Sequence, residues 1–335
     1  FGILNLENVR ETKTILEIFL CEFPSWQQDF RFNAKNPIFE SLRQGKLELF
    51  DVFIKKNPDT KVSTYGPPGD NKKNPLDAAM ECKLAPDIQE DVLNKALSLQ
   101  EQSNQELEFR LMQAVQYGNL GAVRALIKRG VEPGLKTSYG ETALALSCIK
   151  DQSQTSDEIF AWCLRANNVS SVLNDGWGDE HCSPMHNAAK SGRVNALKML
   201  FEKGAFFDHP RMKNSVTPLM IASANVSLEA VKWLLNKGAS HLANDKKGNN
   251  ALHWIVLEGL TSSQEEKSAV PCALVLLKAG VPLSKNKDGK TPLDLALRAN
   301  CRYLSALFSE HELMNTLKDG LEENKDPISR SKKSL

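Results

Sequence analysis

Apolar residues in this chain cluster in short stretches with helical spacing, and the stretches come in pairs. The second member of each pair is the plainer. Ala122-Val-Arg-Ala-Leu-Ile127, Ala196-Leu-Lys-Met-Leu-Phe201, Ala230-Val-Lys-Trp-Leu-Leu235 and Ala273-Leu-Val-Leu-Leu277 carry the same apolar stripe. Each then meets a glycine, Gly130, Gly204, Gly238 or Gly280, the residue suited to the left-handed position that ends a helix. The first members are shorter, with Leu144, Leu146 and Ile149 in one and Leu219 and Ile221 in another. The pattern predicts two short helices, each with one apolar face, repeated along the chain. Such a pair cannot bury its faces alone, and stacking against neighbouring pairs completes the core.

The first helices open alike. Their starts read Asn36-Pro-Ile-Phe, Asn74-Pro-Leu-Asp, Phe109-Arg-Leu-Met, Thr142-Ala-Leu-Ala, Ser183-Pro-Met-His, Thr217-Pro-Leu-Met, Asn250-Ala-Leu-His and Thr291-Pro-Leu-Asp. Successive starts lie 38, 35, 33, 41, 34, 33 and 41 residues apart. Seven of the eight begin with Ser, Thr or Asn, whose side chains cap a helix N-terminus. Pro37, Pro75, Pro184, Pro218 and Pro292 follow at the first helical position, where a missing N–H costs nothing. With its Thr-Pro-Leu-His signature and period near 33, the pattern resembles the ankyrin repeat. The stretch from Ser183 to Ala205 carries the resemblance best.

The resemblance implies an all-α ankyrin-repeat solenoid of about seven to eight helix-turn-helix repeats with a helical N-terminal cap. Residues 1–35 read as the cap, through Val9, Ile15, Leu16, Phe19 and Phe23; 36–106 as degenerate repeats; 107–310 as the ankyrin repeats; and 311–335 as a polar, disordered tail. A helical run between Ala85 and Asn104 reads as the extended second helix of the copy that starts at Asn74. The two 41-residue intervals hold about eight extra residues each, around 151–157 and 259–269, expected as exposed loops or helix extensions between the helices of a pair.

Composition narrows the function. Lys and Arg number 42 against 41 Asp and Glu, for a net charge of +1, which speaks against a general nucleic-acid binder. No apolar run reaches the ~20 residues of a membrane span. Seven cysteines, an odd number without a CxxC pair, sit in helical patterns and read as buried thiols of a reducing, cytoplasmic compartment. No GxxxxGK[ST], GxGxxG, HExxH or GxSxG motif occurs, so neither a catalytic residue nor a cofactor is assigned. Cys163, His181, Cys182 and His186 invite a zinc or Cys–His reading, but their spacing matches no closed ligand pattern. The resemblance gives His186 and His253 a structural role instead, hydrogen-bonding between repeats.

The resemblance also places partner binding on the concave face and on the loops between repeats, here called fingers. These are Gly134–Glu141, Asn174–Cys182, Asp208–Val216, Ala243–Asn249 and Ser284–Lys290. Tyr139 and Trp177 stand at finger tips as candidate aromatic anchors. Arg211, Met212, Lys213, Lys246, Lys247, Lys285 and Lys287 are the other candidate contacts, and their charges, with Lys290, suit an acidic protein partner. The expected function is a monomeric, non-catalytic adaptor or scaffold. Two alternatives stand beside it. One is the recognition half of a larger enzyme. The other is a bacterial effector, secreted into a host cytosol, that mimics a host adaptor; the uneven repeat lengths and the glutamate-bearing end from Leu321 point to it.

Overall fold

The computed structural model describes residues 48, 51, 84–98, 103–136, 140–149, 154–166, 169, 172–176, 182–210, 213–257 and 262–323. The expected N-terminal cap and the openings at Asn36 and Asn74 lie outside them. Thirteen helices can be followed among the described residues: α1 Pro86–Ser98, α2 Asn104–Tyr117, α3 Leu120–Lys128, α4 Ala143–Ser147, α5 Gln154–Arg165, α6 Pro184–Lys190, α7 Val194–Glu202, α8 Pro218–Ala224, α9 Leu228–Asn236, α10 Ala251–Leu257, α11 Ser263–Lys278, α12 Pro292–Arg298 and α13 Arg302–Glu323. They fall into two compact units. Of the described residues, those up to Leu135, with Gln154–Ala166, form the first, and the rest form the second.

In the first unit α3 is the hub, packing on α1, α2 and α5. Val123, Ala125 and Leu126 are completely buried there. Burying one such leucine contributes roughly 1.5–3 kcal/mol. Gly121 permits the closest approach: a Cβ there would lie 2.5 Å from the Pro86 carbonyl oxygen and 2.8 Å from Gln89 Cβ. Arg124 bridges Asp87 at 2.8 Å and Glu158 at 3.3 Å, linking α1, α3 and α5.

In the second unit the short first helices α4, α6, α8, α10 and α12 pack in series, and α7, α9, α11 and α13 form a second row behind them. Leu197 and Leu200, Val231 and Leu234, and Leu276 are fully buried between the rows. Arg193, itself buried, donates to the Ser147 carbonyl and ties α4 to the start of α7. Thr142, Thr217 and Thr291 cap their helices through the N–H groups of Ala145, Met220 and Asp294. Gly130, Gly204, Gly238 and Gly280 all take φ between 88 and 91° at the predicted helix ends.

Two boundaries differ from the sequence pattern, at the start of α2 and at the end of α13. The copy placed at Phe109 begins earlier: α2 starts at Asn104, with Ser103 as its cap, accepting from the Glu106 N–H at 3.3 Å. Of the two outcomes expected for the long intervals, the described residues show helix extension: α5 runs for 12 residues and α11 for 16, against nine in α7 and α9. The chain beyond 310 is not a polar coil from its start, because α13 continues to Glu323.

Period also exposes two misfits. Gly118, Gly192, Val226 and Asn300 occupy the same turn between the two helices of a pair, all with φ between 54 and 71°. A β-branched residue pays a steric penalty there that glycine escapes. Val226→Gly is therefore expected to raise stability by about 1 kcal/mol, read as a higher Tm with unchanged far-UV circular dichroism. Likewise Asn174 Oδ1 accepts from the Phe206 N–H at 2.7 Å, and 34 residues on Asp208 Oδ2 accepts from the Ser240 N–H at 2.9 Å. Burial pushes the Asp208 carboxyl above the usual 3.8, the Ser240 bond opposing. The folded chain thus holds this proton more tightly than the unfolded chain, and ionisation costs stability at neutral pH. Asp208→Asn is expected to raise Tm at pH 7, with the gain shrinking as pH falls toward 4 in calorimetric scans.

Candidate partner-binding surface

Two fingers of the second unit, Ala243–Asn249 and Ser284–Lys290, are built by the same short turn. Asp245 Oδ1 accepts from the N–H groups of Lys247 and Asn249 at 2.8 Å each, while the Asp245 N–H donates to the Asn249 carbonyl at 2.9 Å. Asn286 repeats the arrangement: its Oδ1 accepts from Asp288 and Lys290, and its N–H donates to the Lys290 carbonyl at 2.8 Å. An Asp or Asn side chain closing its own turn is the favoured chemistry for such a loop.

Successive fingers are bonded side by side. The Lys246 N–H donates to the Asn214 carbonyl at 2.9 Å, and the Lys287 N–H donates to the Lys247 carbonyl at 2.9 Å. Asn286 Nδ2 adds a bond to Asn249 Oδ1 at 2.8 Å. This ladder brings Lys213, Lys246, Lys247, Lys285 and Lys287 onto neighbouring turns, all exposed, together with Lys290. Lys290 and Lys285 also help hold the Asp294 carboxyl below its ordinary value, after the larger effect of its bonds to the Thr291 N–H and hydroxyl. Tyr139, Trp177, Arg211 and Met212 lie outside the described residues.

The finger roots are pinned to the helices behind them by histidine. His186 Nδ1 accepts from the Ser183 N–H at 3.2 Å, so Nε2 carries the proton and donates to the Val216 carbonyl of the next repeat at 3.2 Å. His253 does the same between the Asn250 N–H at 3.2 Å and the Lys290 carbonyl at 3.1 Å. Both ring nitrogens of His186 are thus engaged, which removes the lone pair that a zinc ion or a cysteine partner would need. Burial holds the Cys272 thiol up at about 11, far from the thiolate chemistry of a nucleophile.

Trp254 is a candidate contact the sequence pattern missed. It follows His253 on α10 and stands half-buried at the finger root, its indole N–H donating to Asp245 Oδ2 at 3.2 Å. The signal was available: a Trp where the other copies carry Asn187, Ile221 and Leu295. The finger organisers Asp245 and Asn286 were legible too, each three residues before a glycine.

Comparison with known proteins follows the same repeats. A family model described as Ankyrin repeats matches residues 111–211 and 219–319, more than half of the chain. The B-cell lymphoma 3 protein homolog of Mus musculus is 29% identical over 175 residues, which are 52% of this chain and 36% of that protein. Phosphocholine transferase AnkX of Legionella pneumophila is 27% identical over 123 residues, 37% of this chain and 12% of that protein. The chain spans little more than a third, or less, of the length of such curated relatives. Among solved structures, the ankyrin repeat domain of Bcl-3, titled a unique member of the IkappaB protein family, superposes with a TM-score of 0.51 at 25% identity, covering 68% of this chain and 95% of that one.

Burial holds His253 below its ordinary 6.5, against the Lys290 carbonyl and the Asp245 charge, which favour the cation. The unfolded chain therefore takes up the proton first. The stability His253 contributes is complete above about pH 6.5 and declines as pH falls through its lower folded value. The Tm gap between the wild-type chain and His253→Gln is expected to be widest near pH 7.5 and to narrow toward pH 5.5.

Proposed function

The chain belongs to the ankyrin-repeat family, whose repeats are non-catalytic modules for binding other proteins, and on that premise we propose that it is an adaptor or scaffold gripping an acidic partner protein through its fingers and the concave face beside them. The observation that carries this reading is the backbone ladder from Asn214 to Lys246 and from Lys247 to Lys287. It fixes the finger backbones before any partner arrives, so docking need not order them. A row of lysines on fixed turns draws in an acidic surface and raises the association rate. Trp254, anchored by Asp245 at the root of the row, offers aromatic surface beside the charge.

The buried thiols of Cys148, Cys163, Cys272 and Cys301 support a reducing compartment such as the cytoplasm. No helix among the described residues is long and apolar enough to cross a membrane. The likeness to a bacterial protein named as a phosphocholine transferase favours a second reading, in which this chain is the recognition part of a larger enzyme or of a secreted bacterial protein. The first reading is preferred because the matched region is only 12% of that transferase.

Affinity capture with mass spectrometry, run with the wild-type chain and with Lys246→Glu/Lys247→Glu, tests the proposal. Specific partners are expected to be acidic, and the double reversal is expected to slow their association about tenfold near 20 mM salt and less at 500 mM. Association unchanged at low salt would remove the lysine row from the binding surface.

A further inference from the structure

The last pair of helices ends on an apolar surface. Leu297 holds the place in α12 that Ser223 holds in α8 and Val256 in α10. Those two are 0% and 5% exposed; Leu297 is 57% exposed. Beyond it α13 runs for 22 residues, where α7 and α9 each run for nine. The overhang carries Leu313, Met314 and Leu317, which are 61%, 50% and 55% exposed. With Glu310 these three share one strip about 100° wide on the helix. The corresponding residues of the earlier first helices are covered by the next repeat, whereas these apolar side chains stand uncovered.

The helix that bears the strip is held firmly. The extended start of α11 brings in Glu266, a buried carboxylate. Its Oε1 accepts from the Tyr303 and Leu304 N–H groups, which the first turn of α13 leaves without a helical acceptor. Lys267 Nζ stands 5.3 Å from the centroid of the Tyr303 ring. The insertion near 259–269 therefore acts as a clamp that fixes the direction of α13, and the overhang projects from a preorganised base.

We propose that the overhang is a docking surface for a second copy of this chain, the two α13 helices packing antiparallel about a two-fold axis beside Met314. The charge pattern selects this occupant and this direction. Glu310 and Lys318 lie four residues before and four after Met314. Antiparallel pairing sets Glu310 of each copy against Lys318 of the other, twice, while Met314 meets Met314 at the axis and Leu313 and Leu317 flank that contact. Parallel pairing would set Glu310 against Glu310 and Lys318 against Lys318. One self-complementary patch is what a two-fold dimer requires. Three turns of two helices bury less than the ~1,200–2,000 Å² of a standard stable interface, so the dimer is weak and concentration-dependent. The single-copy state expected from the repeat pattern is replaced by this equilibrium.

Sedimentation equilibrium of the whole chain, from about 1 to 300 µM, tests the proposal. The apparent mass is expected to rise from one chain toward two. Leu313→Glu/Leu317→Glu is expected to remain one chain throughout, with unchanged far-UV circular dichroism because both leucines are exposed. Glu310→Lys is expected to weaken the dimer about tenfold, and Glu310→Lys/Lys318→Glu to restore it. A wild-type chain that stays single at every concentration overturns the proposal. So does a dimer that survives the double leucine change, or a Glu310→Lys loss that the second charge change fails to reverse.

Discussion

Everything in the second unit depends on apolar faces that no helix pair can bury by itself. A seven-residue first helix and a nine-residue second helix are below the length at which an isolated helix is stable in water. Their stability comes from neighbours. Leu197 and Leu200 of one pair, and Val231 and Leu234 of the next, are fully buried because α7 packs on α9 and α9 on α11. Binding loops can then be set on a rigid base, since the base is held by packing that the loops do not share.

Apolar packing alone does not fix where one pair sits against the next; the polar contacts do. Histidine suits this task because the neutral ring is donor and acceptor at once. At Ser183 and Asn250 one nitrogen closes the helix cap and the other reaches the next repeat. Where the histidine place is filled otherwise, the cap alone remains. Thr217 bonds the Met220 N–H at 3.4 Å, and Asp294 folds back onto the Thr291 N–H at 2.9 Å. Asp294 lies in α12, the last first helix, where no described finger follows to receive a donated bond. A side chain that satisfies its own cap fits that position.

What the sequence made legible was whatever recurs. The stripes of the second helices, their closing glycines and the Thr and Ser caps follow from period and local chemistry, the roles of His186 and His253 from the family resemblance, and the structure has them. What it hid was single-copy detail. Ser103 was obscured because the long helix α2 starts five residues before Phe109, where the period places its start. The continuation of α13 was obscured because Glu310, His311 and Glu312 interrupt the apolar spacing, whereas the helix only needs its first turn packed and capped. Of the candidate contacts, the lysines stand exposed on the described fingers. Trp254 was passed over because its place on a helix concealed that its indole belongs to a finger root.

The two insertions show why added residues in a repeat array need not become loops. Eight extra residues placed before a second helix can continue that helix backward, with backbone hydrogen bonds supplied internally. In α5, three residues longer than α7 and α9, Glu158 pairs with Arg124 at 3.3 Å and joins α5 to α3. In α11 the extension brings Glu266 to the first turn of α13. Glu266 thus meets two N–H groups that α13 would otherwise leave without an acceptor. A buried carboxylate is costly unless fully bonded, and Glu266 meets that condition only because α13 begins where it does. The clamp and the helix it holds therefore constrain each other: shortening either one would strand a charge or a pair of donors in the core.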